Sequence, residues 1–280
     1  MLKIMSKEIK KLIEWYFRKS VFTFHILLVL AIIFILIVFP LNIVSQAENI
    51  LKQYEGMNLL EGLQEYVLTG FFSGIENLVA YLIPLFAALS FGSEIETNEI
   101  EITLTYPVNR KEVYVAKIVV DLFILISALL LSILILDIII YVKFGIFLAD
   151  TFAIRLFFVG AITSFLIYFL SVLIAVSFAS LFSTLITTDI ILWLWSRLTA
   201  GLLFHDAKTL NLATSLTWQG FVYLDKLLKY ILHKRNIPSI FNLNPSDFWV
   251  LWAYNYLIVF IVCATACLIL SYLIFTKRDL

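Results

Sequence analysis

Ser93-Glu94-Ile95-Glu96-Thr97-Asn98-Glu99-Ile100-Glu101-Ile102-Thr103-Leu104-Thr105-Tyr106-Pro107-Val108-Asn109-Arg110-Lys111-Glu112-Val113-Tyr114-Val115-Ala116-Lys117 is the densest run of charge in this chain. It holds five carboxylates (Glu94, Glu96, Glu99, Glu101, Glu112) and three cations (Arg110, Lys111, Lys117) between two long apolar segments. A charge near the centre of a bilayer costs roughly 2.5 kcal/mol or more. The stretch therefore belongs in water or at a polar interface, and the apolar segments beside it are the ones that cross. It is too short for a domain and too elaborate for a plain hairpin, which makes it a surface offered to a soluble partner.

Composition points the same way. Of 280 residues, 62% are hydrophobic and only 14% charged, and the mean hydropathy of +1.00 is far from that of soluble domains. The 25 Phe and 13 Tyr suit lipid-facing surface and interfacial belts. Zero formal net charge gives no reason to expect nucleic acid as a partner. Cys263 and Cys267 share a helix face without His or carboxylate neighbours, so no metal site is expected. The Lys-rich start runs into an apolar span without a small-residue cleavage site, unlike a cleaved signal peptide.

The expected fold is an all-α integral membrane protein, a single transmembrane domain over 1–280. Residues 1–19 place Met5, Ile9, Leu12, Ile13, Tyr16 and Phe17 on one helix face, with Lys3, Lys7, Lys10, Lys11 and Arg18 opposite, as in a helix lying in the interface. Six spans follow at about 20–44, 76–93, 114–141, 153–182, 187–205 and 247–276, each long enough for the hydrocarbon. The charged loop is 93–113, and outer loops lie at 45–75 and 206–246. The first of these contains a short amphipathic helix near 59–68, and the second an interfacial helix near 220–232.

Several polar residues inside the spans are candidates for function. Asp121 and Asp137 are 16 residues apart, about 24 Å along a helix, which sets one near each face of the bilayer. Ser164, Tyr168 and Ser171 share a face of the fourth span, where hydroxyls pack helices together or line a substrate path. Arg197 lies eight residues beyond Asp189, about 12 Å along a helix, and is a candidate by its depth. Six spans put both termini on one side. Choosing the cytoplasm puts eleven of the 20 Lys and Arg inside and eight outside, a modest bias in the expected direction.

The charged stretch also carries a resemblance. Its pattern Glu94-x-Glu96, Glu101, Pro107-Val108, Arg110 and Lys117 resembles the cytoplasmic loop of ABC-2 type (type V, exporter-like) ABC transporter permeases. That family typically shows Glu-x-Glu-x-Gly-Thr-Leu-Glu, then Pro-Val-Ser-Arg, then Gly-Lys. Here Asn98 stands for the Gly, Glu99 for the Thr, and Ala116 precedes Lys117. Asn tolerates a left-handed backbone best among non-glycine residues, which would keep a turn at 98.

The resemblance implies a coupling helix between spans two and three that docks into a cytoplasmic ABC ATPase. Ile95, Ile100, Ile102 and Leu104 would enter its groove, while Glu94, Glu96, Glu101, Pro107, Arg110 and Lys117 form the docking set. It further implies a second permease chain, identical or different, with spans two and five along the central path. Both termini would be cytoplasmic in the cell membrane. No phosphate-binding loop, dinucleotide turn, His-Glu-x-x-His or Gly-x-Ser-x-Gly occurs in the sequence. No catalytic residue and no cofactor is therefore expected on this chain, with ATP and Mg carried by the partner ATPase. The competing expectation is a secondary transporter driven by an ion gradient, with Asp121, Asp137 and Arg197 titrating.

Overall fold

Leu28, Ile32, Leu36, Pro40 and Val44 recur every fourth residue and are all buried, whereas Leu27, Leu30, Phe34 and Val38 on the opposite side are exposed. That is how an apolar helix reads at the edge of a bundle with lipid as its outer solvent. The structure is a computed structural model that describes residues 7–21, 25–47, 57–104, 108–148, 150–203, 228 and 248–277. Nearly all of these are helical, and no strand occurs among them.

The helices are α1 (Lys7–Val21), α2 (His25–Gln46), α3 (57–96), α4 (Glu99–Leu104), α5 (Arg110–Phe144), α6 (Asp150–Phe178), α7 (Leu181–Leu203) and α8 (Phe248–Lys277). Four of them contain stretches long and apolar enough to cross a membrane, Ile26–Gln46, Leu59–Glu96, Arg110–Phe144 and Thr151–Phe178. Shorter apolar stretches, Leu181–Leu192 and Ile261–Lys277, lie in α7 and α8. The chain is thus compatible with an all-α membrane protein. The expected interfacial helix near 220–232 lies outside the described residues, Leu228 excepted.

α3 differs from expectation. The helix begins at Met57, not near 76, and absorbs most of the expected outer loop. At 1.5 Å per residue it is about 60 Å long, more than the hydrocarbon needs. Glu61 and Glu65, which suggested a loop, sit one turn apart on its exposed face, with Leu63, Val67 and Phe71 buried on the other. Two wider π turns interrupt it, Leu78–Leu82 and Ala88–Gly92, on either side of Pro84. A proline ring collides with the carbonyl four residues back in a regular α-helix. The π turn just before Pro84 opens the helix where that collision would fall.

Against α2, α3 presents Gly70 and Gly74, a small-x-x-x-small pair. A Cβ on Gly70 would come within 2.4 Å of Pro40 Cα and 2.9 Å of the Phe39 carbonyl oxygen. The two backbones therefore meet at bare van der Waals contact. α6 is enclosed by α3, α5, α7 and α8, which explains why it is apolar all round. At one end of the bundle Gly145 adopts φ 70 after α5, Asp137 Oδ1 accepts from Leu148 N–H at 2.7 Å, and Tyr141 stacks on Phe147. Asp137 thus holds the α5–α6 turn.

A network of charged and aromatic residues forms at the other end. The last turns of α1, α3 and α8, the first turn of α5 and the α6–α7 turn all meet there.

Candidate functional site

The charged stretch folds as the end of α3, a sharp turn, the short α4, and the start of α5. Asn98 takes φ 59, the left-handed conformation its side chain tolerates, so the turn survives without glycine. Thr97 N–H and Asn98 N–H close back onto the carbonyls of Ser93 and Ile95. Asn109 is extended and precedes α5, where its N–H donates to Glu112 Oε2 at 3.0 Å, half of a capping box. Pro107 lies outside the described residues, as does the side chain of Glu101.

Glu94 and Lys117 are not an exposed docking pair. Both are buried, and Lys117 Nζ donates to Glu94 Oε2 at 2.5 Å. The other Glu94 oxygen accepts from Lys19 Nζ at 2.9 Å, and Lys19 also donates to Glu99. Burial pushes the Lys19 ammonium down, and the Glu94 and Glu99 carboxylates more than reverse it, so its pKa ends above the ordinary lysine value. The Lys117 ammonium lies 4.8 Å from the Tyr16 ring centroid and 5.1 Å from that of Phe91, two cation–π contacts that complete its cage.

One turn further along α5 is Asp121, only 2% exposed. Its Oδ2 accepts from Ser90 Oγ–H in the second π turn of α3 and from Tyr168 O–H on α6, each at 2.6 Å. Asp121 is thus enclosed by protein. α5 starts at Arg110, and α1 and the 93–104 hairpin cover its first turns, so position 121 is internal.

Glu96 is exposed, and its Oε2 accepts from Leu181 N–H at 3.1 Å, placing a carboxylate at the N-terminus of α7 where the helix dipole favours it. Ile95 and Ile100 belong to the hydrophobic core of this chain, so they are not free to fill a partner's groove. Arg110 is half-buried and has interactions of its own at the start of α5. A cluster of aromatic rings (Phe91, Tyr114, Tyr272, Phe275) seats the end of α8 beside this network, with Tyr114 O and Ser271 Oγ 2.6 Å apart.

Of the residues suggested for a substrate path, Ser164, Tyr168 and Ser171 are all buried in packing. Ser171 Oγ–H donates to its own helix at Ile167 O, and the Ser164 hydroxyl has no hydrogen-bond partner. Only Tyr168 reaches another helix. Arg197 is in α7, but its side chain lies outside the described part. Among the described residues no group of three or more His, Cys, Asp or Glu converges as a metal site.

Spacing in the sequence does not reveal Ser90, Tyr16 and Lys19 as members of the network. The one available signal was the i, i+4 pair Lys117 and Asp121, which puts two opposite charges on one face of an apolar helix. No protein-family model matches the chain, and no curated protein matches it.

Proposed function

We propose that the chain is the membrane-spanning subunit of an ATP-driven transporter of the ABC-2 permease kind. Six helices, α2, α3, α5, α6, α7 and α8, cross the cell membrane with both termini cytoplasmic. Two such chains pair over two separate ATPase subunits, which bind ATP and Mg, and the complex exports its substrate. The 93–113 stretch is the coupling element between the second and third crossing. The family resemblance of that stretch supports the reading together with one observation. The polar hairpin at 93–104 is tied to α1 through Lys19, to α5 through Lys117 and to α7 through the Glu96 cap. A push on its tip is therefore delivered to three helices at once.

The surface left for an ATPase is the tip, where Glu96, Thr97, Asn98 and Glu99 are exposed, with Asn109 and Lys111 nearby in sequence. Purifying the tagged full chain from its native membrane in mild detergent tests the proposal. A soluble subunit with a phosphate-binding loop should co-purify in fixed ratio, and Thr97→Trp at the tip should release it or uncouple its ATPase. A chain that arrives alone, with α1 to α8 intact, would reject the reading. The alternative, an ion-driven transporter, draws on the buried Asp121, and it predicts transport that is abolished by uncouplers and indifferent to ATP.

A further inference from the structure

Charge balance in the buried network singles out Asp121. Lys117 is matched by Glu94, and Lys19 bridges Glu94 and Glu99, so two cations and two carboxylates already neutralise each other. Asp121 is the surplus acid, enclosed among three helices. Both of its neighbours at 2.6 Å, Ser90 and Tyr168, are hydroxyls, which can serve a carboxylate or accommodate a carboxylic acid. An ionised carboxylate with no counter-charge of its own is costly in such surroundings, even with two hydroxyl donors. Lys117, four residues earlier on the same helix face, is the nearest cation able to supply one.

We infer that Asp121 is a proton-binding site whose occupancy is set by which carboxylate Lys117 pairs with. While Lys117 holds Glu94, Asp121 keeps its proton. When the 93–104 hairpin withdraws Glu94, the Lys117 ammonium turns to Asp121, whose O–H bond breaks and whose proton leaves for solvent. Lys117 keeps all three of its own protons, and Glu94 keeps Lys19. The titratable and charged groups that face Asp121 are Glu94 from α3, Lys117 from α5, Tyr168 from α6 and Tyr16 from α1, with Tyr114 and Lys19 a step further out beside Tyr168 and Tyr16. The site is a link between the charged hairpin and the packed interior, and it requires no ATPase. Its failure and that of the transporter reading are therefore separable.

The test is infrared spectroscopy of the full chain in lipid nanodiscs, with the aspartate carboxyl carbons labelled. A protonated-carboxyl band at neutral pH should be missing in Asp121→Asn, whose amide oxygen still accepts from both hydroxyls, and should fade as pH rises. In Glu94→Gln the band should fade at least one pH unit earlier, a tenfold weaker hold on the proton. Tyr168→Phe, which removes a donor to the ionised form, should make it persist to higher pH and covers the case in which Glu94→Gln does not fold. A band absent at every pH, one unmoved by these variants, or one that follows sodium concentration at fixed pH would overturn the inference.

Discussion

Glu94→Ala should be among the most damaging single changes in this chain. It strands the Lys117 ammonium, 2% exposed, in a cage of Tyr16 and Phe91. Removing one partner of a buried ion pair costs about 3–5 kcal/mol. The two rings remain, and Asp121 lies one turn away as a substitute carboxylate, so the lower end, about 3 kcal/mol, is expected. Lys117→Met is milder, since Glu94 keeps Lys19 at 2.9 Å and methionine suits the aromatic cage. About 1–2 kcal/mol is a reasonable cost for that change. The double variant leaves no unpaired charge, only the space of the lost Glu94 carboxyl, with Lys19 still on Glu99. It should be no worse than Lys117→Met alone, giving a coupling energy of about 3 kcal/mol. Reversible unfolding in mixed micelles, followed through the six tryptophans, reads all four corners of the cycle. Additivity within about 0.5 kcal/mol would refute the argument, because it would mean that the pair contributes no energy of its own.

Other changes probe other joints. Gly70→Ala should separate α2 from α3 and destabilise by about 1–3 kcal/mol, because the new methyl meets backbone atoms of Pro40 that cannot turn aside. Gly74→Ala, whose Cβ would sit 3.4 Å from a Leu36 methyl, should cost much less on the same unfolding assay. Asn98→Ala should lose about 1 kcal/mol at φ 59 while Asn98→Gly is neutral or better, and equal losses would argue that the turn is not left-handed. Lys19 has a raised pKa, so its contribution is complete below the unfolded lysine value of about 10.4 and is lost as pH climbs through the higher folded value. Protease cleavage within α1 should accelerate only above about pH 10.4, and Lys19→Ala should remove that step. An onset well below it would assign the loss to another group.

The helical class and the apolar runs were legible because they depend on composition over whole segments. The turn at Asn98 was legible because it rests on local backbone chemistry, whereas α5 starts at Arg110, inside the expected 93–113 loop. What escaped were the consequences of packing. Glu61 and Glu65 read as loop residues, yet a helix one face of which is wet carries them without cost. The α6–α7 turn is Ala179-Ser180, with Ala179 at φ 51 and neither Gly, Pro nor Asn to announce it. Spacing along α5 gave Asp121 a depth but not its neighbours, and the covering of the first turns by α1 and the hairpin was invisible to that arithmetic. Glu94 and Lys117 looked like surface charge because they lie in the most polar stretch of the sequence. They are 23 residues apart, and only the tertiary fold makes them a pair.

That pairing changes what the charged stretch can do. A hairpin offered to a partner by loose, solvated charges would absorb a push by bending, and little would reach the bundle. Here Glu94 is held from two sides, Glu96 caps a helix, and Ile95 and Ile100 are seated in the core. Displacing the tip must therefore either carry the ends of α1, α5 and α7 with it or break the Glu94–Lys117 contact. The first outcome transmits motion as a rigid joint. The second frees a buried ammonium beside Asp121, one turn away, and changes the charge of the interior. Both are ways for a surface event to reach the packed helices, and variants that weaken Glu94 without touching the tip separate them. A rigid joint loses transmission only in step with stability and survives Asp121→Asn, whereas the charge exchange is lost when Glu94 alone is neutralised and again in Asp121→Asn.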